Sequence, residues 1–130
     1  MPEVGIARTR PKYLNLVQIR LPLAGFVSIL HRVSGAFLFL FLPLLLWLFG
    51  ASLGSAESFE QFRQVGGHPL AKLVLLGLLW SYLHHFCCGI RCLLLDMHIG
   101  VSREASRRSA VAVLAVSIPL TLILAGALLW

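Results

Sequence analysis

The sequence predicts an all-α membrane protein with three transmembrane helices, and three observations carry that expectation. Hydrophobic residues make up 58% of the chain and charged residues only 12%, where a soluble domain averages about 45–50% and about 25%. A water-soluble fold of 130 residues cannot bury so much apolar surface, so the composition asks for lipid as solvent. The apolar residues also fall in three long runs, each near the roughly 20 residues that cross a hydrocarbon core. Finally, the Lys and Arg residues flank those runs instead of making a basic surface. The net charge of +6 is therefore a matter of topology and partner contact, and no nucleic acid is expected.

The first uncharged run covers residues 33–53. Its helical pattern extends upstream to residue 23, just after Pro22, so the first span is expected over 23–53. Pro43 should kink it, which a membrane helix tolerates. The polar interval GSAESFEQFRQVGGHP follows, with room for one short surface helix stopped at Gly66-Gly67. The second span is expected over 70–97 and the third over 110–130. Trp47, Trp80 and Trp130 are candidate interface anchors. The whole chain, 1–130, reads as one membrane-anchor domain, with 1–22 an N-terminal segment ahead of the first helix. That segment lacks the pattern of a signal peptide.

Orientation follows from the distribution of positive charge. Arg8, Arg10, Lys12, Arg20 and Arg32 precede or begin the first span; Arg91, Arg103, Arg107 and Arg108 surround the second loop; Arg63 and Lys72 alone flank the first loop. The positive-inside rule places the N-terminus and second loop in the cytoplasm and the C-terminus in the periplasm. The expected location is the bacterial inner membrane, crossed several times.

Ionisable groups inside spans cost roughly 2.5–3.5 kcal/mol on insertion scales and mark function by default. In S-I-L-H-R-V-S-G, residues 28–35, helical spacing puts Ser28, His31, Arg32 and Gly35 on one face. A hydroxyl, an imidazole and a guanidinium thus lie together beside a glycine, although an interfacial Arg that snorkels to headgroups would look similar. In the second span, His85, Gly89, Cys92 and Asp96 form one stripe, and His84 aligns with Arg91 on another face. An imidazole followed one turn later by glycine suits a haem ligand beside a gap for a flat cofactor. It equally suits a histidine bonded to a neighbouring helix. Cys87, Cys88 and Cys92 show no disulfide framework, no zinc spacing and no C-x-x-C-H attachment, and read as small packing residues.

These motifs also carry a family resemblance. S-I-L-H-R-V-S-G after R-P-K-Y-L-N-L, together with H-x-x-x-G-I-R-x-x-x-x-D in the second span, resembles the cytochrome b membrane-anchor subunit of succinate dehydrogenase, complex II. The likeness covers nearly the whole chain. It implies a helix bundle shared with a second membrane-anchor subunit, carrying a flavoprotein and an iron–sulfur subunit on the cytoplasmic face. Electrons from succinate would pass to ubiquinone, with one haem b held between the two anchors. His85 would be one axial ligand of the haem iron, the other coming from the partner anchor. Ser28 and Arg32 would line the quinone site, and His31 and Arg32 would lie near the haem propionates. Where the family often has His directly after G-I-R, this chain has Cys92, so no haem role passes to that position.

The chain carries no flavin or nucleotide motif and no cysteine-rich cluster motif, so alone it is non-catalytic. Ser28 as donor and Arg32 as fixed cation would stabilise charge developing on a quinone oxygen. Asp96, near the same surface, would either help deliver protons or pair with an Arg. A haem-free fumarate reductase anchor is the nearest alternative, and His85 argues against it. A small multihelix transporter would need a buried acid in mid-span, and neither the first nor the third span has one.

Overall fold

The computed structural model describes residues 19–129. The R-P-K-Y-L-N-L stretch and Trp130 lie outside the described residues. Four helices follow in order: α1 (Leu23–Leu53), α2 (Ala56–Gly67), α3 (Pro69–Asp96) and α4 (Arg103–Leu129). Among the described residues there is no strand. α1, α3 and α4 are each long and apolar enough to cross a membrane.

α1 starts where Pro22 fixes an extended backbone, and its first turn closes on the Pro22 carbonyl, which accepts from Gly25 N and Phe26 N at 2.9 and 3.1 Å. Pro43 lies inside the helix and Pro119 inside α4. Each removes one backbone bond, a loss that would break a soluble helix more readily. α1 shows most of its length to the outside, with Phe39 and Leu40 more than 70% exposed. Such exposure of apolar side chains is suited to lipid or to another helix, not to water.

α2 occupies the polar interval. Ser55 caps it by accepting from Ser58 N at 3.2 Å, while the Ser58 hydroxyl donates back to the Ala51 carbonyl at 3.1 Å and ties α2 to the end of α1. His68 ends α2 and caps α3, its Nδ1 accepting from Leu70 N at 3.2 Å, with Pro69 in the first turn where no donor is needed.

α3 is the central helix, packed against both α1 and α4. The core lies where all three meet, built from Val27, Cys88, Ala110 and Val113 with Leu23, Ala24, Cys87, Cys92 and Leu114 around it. α3 stops in a Schellman motif: Ile99 N donates to the Leu94 carbonyl and His98 N to the Leu95 carbonyl, both at 2.9 Å. His98 takes the left-handed position at φ 62°, where glycine is usual, and Gly100 follows at φ 77°. α4 begins at Arg103, ahead of the apolar run at 110, because Ser102 caps it through Ala105 N at 3.2 Å. The N-terminus of α1, the C-terminus of α3 and the N-terminus of α4 share one end of the bundle, where Arg20, Arg103 and Arg107 line an open cleft of about 680 Å³. This is the basic end.

Candidate functional site

Near the basic end, α1 and α3 meet through two histidines. The rings of His31 and His85 stack with centroids 4.1 Å apart and planes 15° from parallel. Two helices can approach this closely because Gly35 has no side chain. A Cβ added there would stand 2.8 Å from His85 Cε1 and 3.3 Å from its Nδ1. The glycine of S-I-L-H-R-V-S-G thus opens room for a histidine of the other helix.

His85 Nδ1 lies 3.1 Å from the His31 carbonyl and 3.3 Å from Ser34 Oγ. Ser34 itself donates to the same carbonyl at 2.9 Å. A carbonyl only accepts, so the proton belongs on Nδ1, which donates to His31 O. The assignment rests on the partners, as it must where hydrogens are placed and not observed. It leaves the lone pair on Nε2, the arrangement in which a metal-binding imidazole is held by its other nitrogen. His85 is only half-buried. One turn on, a Cβ at Gly89 would meet a single atom within 4 Å, His31 Nε2 at 3.9 Å. The face of α3 beside His85 therefore stays open enough for a flat group.

His84 differs in every respect. It is 0% exposed, stacks on Trp80 with centroids 5.1 Å apart, and neither ring nitrogen has a partner. Trp80 is accordingly a packing partner inside the bundle, whereas Trp47 is exposed.

Ser28 is half-buried and Arg32 exposed, and neither makes a side-chain hydrogen bond or ion pair among the described residues. Both groups are free to meet something outside the chain. Asp96 is exposed, and of its two expected roles the pairing with an Arg is not seen among the described residues.

Two residues whose contacts sequence reasoning did not give prove to be structural members of this end. Ser34 is buried and anchors the His85 side of the stack. Its signal was its place three residues after His31, which lets its hydroxyl reach that carbonyl. Arg91, read from the sequence as a topological charge aligned with His84, is 7% exposed and held by α4. Its Nε donates to Ser109 Oγ at 3.0 Å and its Nη2 to Ser106 Oγ at 2.9 Å. The Ser106/Ser109 pair, one turn apart, was the available signal. Cys88 is fully buried in the core, as a small packing residue should be, with Sγ 3.9 Å from the Val27 carbonyl.

Three apolar spans and a histidine seam near one basic end define a helical membrane subunit with a polar site inside the membrane. Comparison with known proteins gives the family. Residues 7–124 match the model of the succinate dehydrogenase/fumarate reductase transmembrane subunit, and the chain belongs to that family. Relatives named succinate dehydrogenase cytochrome b556 subunit include one from Coxiella burnetii, 37% identical over 93% of this chain and 97% of the relative. Another, from Paracoccus denitrificans, is 31% identical over 88% of each chain, and one from Rickettsia prowazekii is 29% identical over 92% and 93%.

Proposed function

We propose that this chain is the haem-b-binding membrane anchor of a succinate dehydrogenase, helping to form the site at which ubiquinone is reduced. The observation that carries the reading is His85: its Nδ1 is committed to the His31 carbonyl, its Nε2 is left with a lone pair, and the adjoining face at Gly89 is open. The names of the relatives add that cytochrome b is the expected class.

On this reading His85 would hold the haem iron from this chain, and the other anchor subunit would supply a second ligand. Haem b, when bound, supplies a one-electron carrier within the membrane. The residues of this chain do the rest. Gly35 and Ser34 fix the His85 ring, and His31 and Arg32 supply polar and positive groups toward the propionates. Ser28 donates a hydrogen bond to a quinone oxygen, and Arg32 provides a fixed cation as that oxygen gains negative charge in a low-dielectric site. Arg32 is exposed and Ser28 half-buried, so part of the wall would come from a partner, the second anchor or the iron–sulfur subunit. Asp96, exposed and unpaired among the described residues, is placed to exchange protons with the aqueous phase.

The Lys/Arg distribution puts the basic end in the cytoplasm of a bacterial inner membrane, where the iron–sulfur subunit and flavoprotein would dock. A reporter fused after Trp130 should then work only if it is active in the periplasm; cytoplasmic activity would reverse the orientation. The central test is a reduced-minus-oxidised spectrum of membranes carrying the assembled complex. His85→Ala should abolish or shift the b-type bands, and His84→Phe should keep them. The opposite pattern would transfer the ligand role to His84.

A further inference from the structure

Three of the arginines at the basic end surround one space. Arg20 stands just ahead of α1, Arg103 and Arg107 stand on the first turns of α4, and together they line the cleft of about 680 Å³. All three are exposed, and none makes an ion pair among the described residues. The neighbouring Arg108 differs, because Glu104 holds it at 2.6 Å. We propose that this cleft binds the phosphate headgroup of an anionic phospholipid, whose acyl chains lie along α4.

The charge arrangement calls for an anion. Like charges on the walls of a cleft add their potentials, and low-dielectric walls focus the field inside it. Here the walls come from two helices, so an anion between them relieves the repulsion of their ends. Arginine suits phosphate because its planar fork donates two parallel hydrogen bonds. Ser106, also on the wall, adds a neutral donor. Its Oγ accepts from Arg91 Nη2 at 2.9 Å, which leaves the hydroxyl proton to be given elsewhere.

The surroundings of the cleft favour a lipid over a protein anion. Leu23 and Val101 share its walls, at the level where the first and third spans begin. Further along α4, Val111, Ile118 and Leu122 fall within an arc of about 60° that includes Arg107. All three are exposed. Positive charge at the end of a span, with an uncovered apolar stripe running on from it, matches the two parts of a phospholipid. A carboxylate on a docked subunit would use the charges and leave the stripe. Basic pockets between transmembrane helices are recurrent sites for anionic headgroups.

The cleft shares no residue with the His85 face or with Ser28 and Arg32, so the binding rests on no haem or quinone role. The test uses the assembled complex, stripped of lipid in a non-ionic detergent. It is titrated with phosphatidylglycerol or with phosphatidylcholine of the same acyl chains, and native mass spectrometry counts the bound lipid. Arg20→Gln, Arg103→Gln and Arg107→Gln should each weaken one tight phosphatidylglycerol site about fivefold. Arg63→Gln, in α2 and already paired with Glu60, should leave that site unchanged. Without any variant, phosphatidylglycerol but not phosphatidylcholine should protect the three arginines from phenylglyoxal, read by peptide mass spectrometry. Four results would each overturn the proposal: no preference for phosphatidylglycerol, a preference that survives the triple substitution, equal competition by inorganic phosphate, or arginines unreactive in both lipids. The last would assign the cleft to a docked subunit. A complex that binds the lipid in this way yet shows no b-type spectrum would sink the haem reading alone.

Discussion

The two seams of α3 are built from similar materials and end in opposite states. Toward α4, the buried cation finds partners, and of the buried polar side chains described in α4 only the Ser117 hydroxyl is left without one. Arg91 is bonded to Ser109 and Ser106, the Thr121 hydroxyl donates to the Ser117 carbonyl at 2.6 Å, and Ala110, Val113, Ser117, Thr121 and Ala125 line up as one stripe of mostly small buried residues. Small residues let membrane helices approach closely, and polar ones then bond across. Toward α1, the polar groups are close but incompletely bonded. His31 Nε2 and both nitrogens of His84 have no partner, and His85 is held on one side only. An unsatisfied polar group in a low-dielectric interior is costly. The α4 seam is therefore bonded but for the Ser117 hydroxyl, while the α1 seam leaves three imidazole nitrogens without a partner. The proposed function draws on the second.

The largest effect expected from testing that contrast lies at Arg32 and Ser28 of α1. A hydrogen bond to a charged group contributes about 1.5–3 kcal/mol, so Arg32→Leu should slow quinone reduction roughly tenfold to a hundredfold. Succinate oxidation with a soluble acceptor that draws electrons upstream should survive. Ser28→Ala should act in the same direction, but less. The measurement is the ratio of the two activities in assembled complex, and an unchanged ratio removes both residues from the quinone site.

Next comes the close approach at Gly35. A Cβ 2.8 Å from His85 Cε1 forces the stacked ring to move, and overpacking of this kind costs about 1–3 kcal/mol. Gly35→Ala should therefore shift the b-type bands and lower haem retention during purification. Gly89→Ala, which meets one atom at 3.9 Å, should disturb the His31–His85 stack much less. Equal effects at both glycines would mean that the stack is not what Gly35 protects.

The smallest effect belongs to the seam with α4. Ser109→Ala leaves Arg91 Nε buried without its acceptor and should lower stability in detergent by about 1–2 kcal/mol. Arg91→Leu removes the charge together with its need for acceptors and should cost less. Denaturant titration of the two variants checks the order. If Arg91→Leu proved the worse, the cation would have to be serving a group outside this chain.

Much of the architecture was legible in residue order. Apolar runs give the three long helices, the polar interval gives α2, and Pro22 marks the start of the first helix. Ser28, His31, Arg32 and Gly35 were legible as one face, because angular position about a helix depends only on spacing along it. The family was legible for the same reason, since its motifs are local strings.

What spacing could not reveal is which neighbour each face meets. Gly35, not Gly89, makes room for His85; His31 of α1 comes within 4.8 Å of the Cys88 and Cys92 sulfurs; Arg91 turns to the serines of α4; and His84 and His85, adjacent in the chain, end one sealed and one half-exposed. In a soluble protein the apolar stripe of each helix points to the core and so announces its partner. In lipid every face is apolar and no hydrophobic force drives helix against helix. Pairing is then decided by small residues, close packing and hydrogen bonds across the seam, and these exist only once the helices have met.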